Sequence, residues 1–349
     1  MLLKPNFINR LALGMIKWLI YSGTFLLLTI VIVLIFFSWQ ADRREKLSPI
    51  EGAPTSGRLV QAYDIRIFIQ EDGPEFGPAV LLVHGTGAWS EIWRETIDVL
   101  AQNGFHVIAM DVPPFGYSEK PQGVRKYSRE QQARRIIRLL ETLGLQNVTL
   151  IGHSVGSRPV IEAAMEAPDK ISNLVLVDPA LGFAKRSKEF QQNQPSRLIK
   201  IFFNFTMLRN AVLAAFATNP SFTRKIFSSF VSNTDAVTEE RIVMLQQPYV
   251  IKNITNAYGD WLQYLVVEQD TSLTNNFENF NKLKMPVYII WGSTDNVTPL
   301  WQGERLQQLI PKSRLSIIQN AGHIPYIENP EQFNKLLLGY LQEKKSAVF

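Results

Sequence analysis

A chain of 349 residues with 46% hydrophobic composition can bury a sizeable core, as one large domain or two smaller ones, which excludes intrinsic disorder. Its net charge of +5 is small and dispersed, so no nucleic-acid partner is expected. Cysteine is absent, which removes a disulfide framework, a thiolate metal site and a cysteine nucleophile together.

The first feature along the chain is the apolar run from Trp18 to Trp39, free of ionisable side chains except Tyr21. As a helix it would span roughly 33 Å, enough for a bilayer core. Trp18, Tyr21 and Trp39 stand near its ends, with Lys17 before it and Arg43 and Arg44 after it. The run is too long for a signal peptide, and FSWQADRREK holds no small-x-small cleavage site, so an uncleaved single-pass anchor in membrane lipid is expected. Residues 1–17 then form a flank, 18–39 a transmembrane helix and 40–57 a linker broken by Pro49, Pro54 and Gly57. Lys4, Arg10 and Lys17 on one side balance Arg43, Arg44 and Lys46 on the other. The reading adopted puts the amino terminus inside a bacterial-type inner membrane, with the following domain periplasmic or otherwise extracytoplasmic.

Residues 59–70 predict early antiparallel strands, and AVLLVH at 79–84 a short buried strand. A helix is expected over 91–103, a strand over 105–112, an amphipathic helix over 128–144 ending at Gly144, and a strand over 147–153. A helix from about Gly156 to Ala167 leads to strand 173–178. Such alternation implies right-handed crossovers and a mostly parallel sheet covered on both faces. It stops near Ala180 and resumes at Lys284, with strands at 286–292 and 313–319 and helices at 300–310 and 329–343. The division is therefore a core of 58–180 and 284–349, with 181–283 a helical cap over the end of the sheet where open α/β sheets bind ligands.

Gly152-His153-Ser154-Val155-Gly156 follows a predicted strand and precedes a predicted helix. The glycines permit a sharp turn that exposes Ser154 near a helix N-terminus, whose partial positive charge favours developing anion. A serine hydroxyl needs a base to take its proton, and the base needs an orienting acid. His323 in NAGHIPYIENP and Asp295 in WGSTDNVTP both fall just past strands, in the chain order Ser, Asp, His. Of the other three histidines, His84 is placed to brace the turn HGTG, His106 starts a buried strand and His153 neighbours the serine. Asp178 is the rival acid and Asp111 a weaker one. Backbone N–H groups of Thr86 and Val155 are the candidates for an oxyanion hole.

Four motifs, HGTG at 84–87, DVPPFGYSEKP at 111–121, GHSVG at 152–156, and the pair WGSTD and AGHIPYIENPEQF, make residues 60–345 resemble the α/β-hydrolase superfamily. The resemblance implies an eight-stranded, mostly parallel sheet, a Ser-Asp-His triad and a cap inserted after the sixth strand. Epoxide hydrolase and haloalkane dehalogenase relatives carry an aspartate where this chain has Ser154, which argues against their reactions. Ser157 and Arg158 also stand where many relatives have another glycine. The implied activity is acyl transfer on a small-molecule substrate, esters before amides, with no metal or organic cofactor required. Cleavage of a carbon-carbon bond beside a carbonyl is the alternative reaction, and a non-catalytic receptor or scaffold the alternative class. Residues 182–225 hold eight Lys or Arg (Lys185, Arg186, Lys188, Arg197, Lys200, Arg209, Arg224, Lys225) against Glu189 alone. Either this half of the cap lies on an anionic membrane and admits amphiphilic acyl substrates, or it is a solvated face with an apolar stripe over the pocket.

Overall fold

The computed structural model describes residues 5–183, 195–268 and 271–346. Its first element, α1 (Pro5–Arg44), is one continuous helix, because no proline falls between positions 6 and 48. Leu13–Arg44 is long and apolar enough to cross a membrane, and its most apolar stretch is not buried against protein. The helix thus runs beyond the expected 18–39 on both sides.

The expected linker over 40–57 is instead largely ordered. After α1, Ser48 caps the short helix α2 (Pro49–Gly52) in a reciprocal bond with Glu51. The Leu47 N–H donates to the Val250 carbonyl at 3.0 Å, and the Lys252 N–H donates to Leu47 at 2.8 Å. The segment is therefore stitched to the insertion.

Strands β1 (Arg58–Ala62), β2 (Ile65–Asp72), β3 (Ala79–Val83), β4 (His106–Met110), β5 (Val148–His153), β6 (Ile171–Val177), β7 (Val287–Gly292) and β8 (Arg314–Ile318) form one sheet in the order β1-β2-β4-β3-β5-β6-β7-β8. β1 and β2 pair antiparallel, as do β2 and β4, whereas every other neighbouring pair is parallel. Strands β3, β5 and β7 are buried along their whole length, so they read as continuous apolar runs rather than alternating ones.

Alternate residues of these strands feed two cores. Leu81, Leu150, Leu176 and Ile289 face one side, against Ile136 and Leu140 of α4 (Arg129–Thr142), Val160 of α5 (Ser157–Glu166) and Leu306 of α11 (Trp301–Leu309). Leu82, Ile151, Val175 and Ile290 face the other, against Ile97 of α3 (Arg94–Gln102) and Phe333 of α13 (Pro330–Ser346). Burying each such side chain contributes about 1.5–3 kcal/mol.

Between β6 and β7 lie α6 (Arg197–Asn204), α7 (Thr206–Ala215), α8 (Pro220–Ser228), α9 (Glu239–Gln246) and α10 (Ile254–Val267). Arg209 is buried at the centre of this group, where its guanidinium meets Asp260 at 2.9 Å, Gln263 at 2.7 Å and Asn256 at 3.1 Å. Paired in this way the buried charge is tolerable, and alone it would not be. Of the cations noted on this half of the insertion, Lys185, Arg186 and Lys188 lie outside the described residues, as does Glu189. Arg209 is an internal tie rather than a surface charge.

Candidate active site

The turn from β5 into α5 is set by two close approaches. A Cβ on Gly152 would come within 2.7 Å of Ser157 Cα, and one on Gly156 within 2.3 Å of the His84 carbonyl oxygen. Between them Ser154 is held at φ 52°, a left-handed conformation that non-glycine residues seldom adopt. The Ala180 N–H donates to the Ser154 carbonyl at 3.1 Å, and Ser157 Oγ donates to Gly152 at 2.8 Å. Arg158 Nε reaches the Ala180 carbonyl at 2.6 Å, so both departures from the family pattern fasten this turn.

The structure brings Ser154, His323 and Asp295 together. His323 Nε2 lies 2.8 Å from Ser154 Oγ, and its Nδ1 lies 2.7 Å from Asp295 Oδ2. All three side chains are buried. Asp295 Oδ1 accepts the N–H groups of Val297 at 2.7 Å and Thr298 at 2.9 Å, while Oδ2 also accepts Thr298 Oγ1 at 2.6 Å. Burial pushes the Asp295 carboxyl up, but the bond and charge of His323 and the Thr298 donors outweigh it and leave the carboxyl below its usual range. The group is an anion held against the imidazole.

Neither rival acid has this geometry. Asp111 Oδ1 accepts the Ser90 N–H and Oδ2 the Tyr117 N–H, each at 2.6 Å, so it organises the loop after β4. Asp178 Oδ1 accepts the Gly292 N–H at 2.9 Å, while burial and then the charge of Asp295 hold its carboxyl well above the usual range. His84 accepts the Val112 N–H through Nε2 at 2.9 Å and donates from Nδ1 to the Gly85 carbonyl at 2.8 Å, bracing the loop that carries Thr86. Burial keeps it neutral, with a pKa of about 4.

Several supports were not singled out from the sequence. His153 donates from Nε2 to the His323 carbonyl at 2.8 Å and accepts the Tyr326 hydroxyl at Nδ1, 3.1 Å away. Burial, followed by the neighbouring His323, lowers its pKa to about 3, so it is a neutral brace. Tyr326 in turn stacks on Trp93 at 3.8 Å. The His323 N–H donates to the Phe230 carbonyl of the insertion at 2.9 Å. Glu328, in α12 (Pro325–Glu328), accepts the N–H groups of Gly322 and Ile324 on one oxygen and of Ser232 and Asn233 on the other.

Ser154 and His323 lie on the wall of a cavity of about 180 Å³, bordered also by Thr86 and Val155. Phe227, Phe230 and Leu245 close it from the insertion, and among the described residues no Lys, Arg, Asp or Glu lines it. The site combines an aligned proton path with an apolar chamber.

The comparisons agree with this architecture. The family described as alpha/beta hydrolase fold matches residues 78–330, and the chain belongs to it. It is a hydrolase. A 2-hydroxy-6-oxononadienedioate/2-hydroxy-6-oxononatrienedioate hydrolase of Paraburkholderia phymatum is 27% identical over 290 residues, covering 80% of this chain and 91% of the relative. Among solved structures, a putative lipase from Acinetobacter baumannii superposes with a TM-score of 0.66 at 20% identity, covering 83% of this chain and 92% of its own. A bromoperoxidase from Bacillus anthracis gives a TM-score of 0.65 at 23% identity, covering 82% and 100%. At these identities the two structures share the fold alone.

Proposed function

We propose that the chain is a membrane-anchored serine hydrolase in which Ser154 is the nucleophile, His323 the general base and Asp295 the orienting acid. The observation that carries this reading is the unbroken line from Ser154 Oγ through His323 to Asp295, at 2.8 and 2.7 Å, on the wall of an apolar cavity. His323 Nε2 takes the hydroxyl proton as Oγ attacks a substrate carbonyl, and Asp295 stabilises the imidazolium that forms. The Thr86 and Val155 N–H groups are the proposed oxyanion donors, each contributing about 3–4 kcal/mol to the transition state. His323 gives its proton to the leaving group, and a water deprotonated by the same imidazole releases the acid from Ser154.

The cavity lining, which among the described residues holds no Lys, Arg, Asp or Glu, supports an uncharged apolar acyl ester as substrate. A second reading is hydrolysis of a carbon-carbon bond beside a carbonyl. The names of some curated relatives, among them a 2-hydroxy-6-oxononadienedioate/2-hydroxy-6-oxononatrienedioate hydrolase and a 2-hydroxy-6-oxo-2,4-heptadienoate hydrolase, favour this reading over the ester one. Labelling by a fluorophosphonate probe that disappears in Ser154→Ala is expected, and undiminished labelling would refute the nucleophile. A panel of p-nitrophenyl esters against a vinylogous diketone then separates the two reactions by which is turned over.

The anchor reading assigns α1 to an uncleaved transmembrane helix with its amino terminus inside. Digestion of the globular part by protease added to intact spheroplasts is expected. Protection there would reverse the orientation.

A further inference from the structure

Two features of the insertion are unused by the chemistry above. The first is an exposed apolar elbow. Helices α6 and α7 meet at 86°, and around the bend Leu198 is 77% and Met207 81% exposed, with Ile201, Phe205 and Phe216 also open. Isolated exposed apolar residues are ordinary, but so many within one bent helix pair form a patch. From position 190 to 234 the sequence has no acid, while Arg197 and Lys225 are exposed.

The second is where the patch sits relative to α1. Leu34, Phe37 and Ser38 are half-buried and Ala41 is buried, at the spacing of one helix face, whereas their neighbours around the helix are exposed. The element that packs along α1 is α7, and Ser38 and Ala41 share a groove with Asn210 and Ala214. Leu34 and Phe37 belong to the apolar run that ends at Trp39. Leu34 is about 7.5 Å inside that end at ~1.5 Å per residue, so α7 is held at the depth where amphipathic helices rest in a bilayer. The cavity adjoins the same region. Ala217, just beyond α7, lines it, as does Tyr249, whose carbonyl accepts Arg44 Nε at 3.1 Å.

We propose that the α6–α7 elbow is seated in the lipid leaflet beside the end of α1, with its cations towards anionic headgroups, and that the Ser154 cavity takes acyl substrates dissolved in that leaflet. The seating rests on α1 spanning the membrane, and the substrate class rests on the hydrolase reading. The exposed apolar side chains of the elbow, held beside the apolar end of α1, point to lipid as the occupant.

Because the chain has no cysteine, single labels can be placed in the full-length protein. Nitrobenzoxadiazole on Leu198→Cys or Met207→Cys, in vesicles of phosphatidylcholine and phosphatidylglycerol, is expected to be quenched several-fold more by doxyl-labelled lipid than the same dye on Phe76→Cys. Phe76, 97% exposed in the turn between β2 and β3, is the reference. Quenching equal to that reference overturns the seating, and shielding that depends on protein concentration but not on doxyl lipid assigns the patch to a second copy instead. Quenching needs no turnover, so it reads the seating even if Ser154 proves inert. For the substrate, Leu198→Asp with Met207→Asp is expected to lower hydrolysis of a vesicle-dissolved p-nitrophenyl laurate about tenfold while leaving soluble p-nitrophenyl acetate unchanged. Equal rates on laurate for wild type and variant overturn delivery from the leaflet.

Discussion

Carboxyl oxygens of Asp178 and Asp295 lie within 4.8 Å of each other beside His323, and their surroundings push them in opposite directions, Asp178 well above the usual carboxyl range and Asp295 below it. Asp295 is the anion, because it accepts the imidazole and Thr298, while Asp178 has a single backbone donor. Asp295→Asn is therefore expected to lower kcat by about 10⁴, the scale of losing the acid in other Ser-His-Asp sites. Asp178→Asn should cost less than about tenfold, since an amide resembles the neutral acid. Steady-state kinetics of the two variants decide it, and the reverse ranking would move the acid to β6.

The same pair sets a pH dependence of stability. A carboxyl raised in the folded state contributes stability that is complete below its unfolded pKa and lost as pH rises through the folded value. Asp178 is such a group. Asp295, lowered, behaves oppositely, losing its contribution only on acidification. Comparing melting temperatures at about pH 5 and about pH 8, wild type should lose ground to Asp178→Asn at the higher pH. A constant difference between the two proteins would show that Asp178 does not hold its proton.

Thr298 gives its hydroxyl to Asp295 Oδ2 at 2.6 Å and lies 3.2 Å from His323 Nδ1. A hydrogen bond to a charged group is worth about 1.5–3 kcal/mol, so Thr298→Val should reduce kcat roughly tenfold or more with little change in KM. Thr298→Ser, which restores the hydroxyl, should recover most of the loss. Failure of serine to rescue would assign the threonine methyl, not the hydroxyl, to the effect.

Glu328 holds four backbone N–H groups, two from the loop of His323 and two from Ser232 and Asn233 in the insertion. In Glu328→Gln the amide nitrogen cannot accept, so at least one pair is broken, at a cost of about 1–3 kcal/mol. Thermal unfolding should shift down by several degrees, and kcat should fall with it because Gly322 precedes the histidine. An unchanged kcat at a lowered melting temperature would separate the clamp from the alignment of His323.

What could be read from the chain alone follows a physical divide. The strand ends that carry Ser154, Asp295 and His323 are marked by side chains whose chemistry is local: a serine between glycines, and an acid and a histidine after apolar runs. Phe230 accepts the His323 N–H through its backbone carbonyl, which every residue has, so its identity holds no trace of that role. Thr298 acts through a three-residue turn back onto Asp295, a geometry that threonine at that spacing does not announce. The docking of α1 was illegible for another reason. Leu34, Phe37, Ser38 and Ala41 lie on one face, but the run is apolar on every side and gives no amphipathic signal to mark it. The order within 40–57 is hidden in the sequence because Pro49, here a first-turn residue of α2, looks there like a linker break.

Just past the apolar run, α1 and the residues after it are joined to the insertion. Arg44 Nε donates to the Tyr249 carbonyl at 3.1 Å and its guanidinium lies 5.7 Å from the Tyr249 ring centre, while Glu45 accepts the N–H of Thr255 at 3.2 Å and its hydroxyl as well. Tyr249 lines the cavity, so a loose joint should be felt by substrate. Arg44→Ala removes a bond and a cation-ring contact, together about 1–3 kcal/mol. In the full-length protein, amides of α9 and α10 should exchange faster with solvent, and KM should rise more than kcat falls. Lys46→Ala, an exposed neighbour, serves as the control and should change neither. If Arg44→Ala matches that control, the joint is a passive contact and α1 does not shape the cavity.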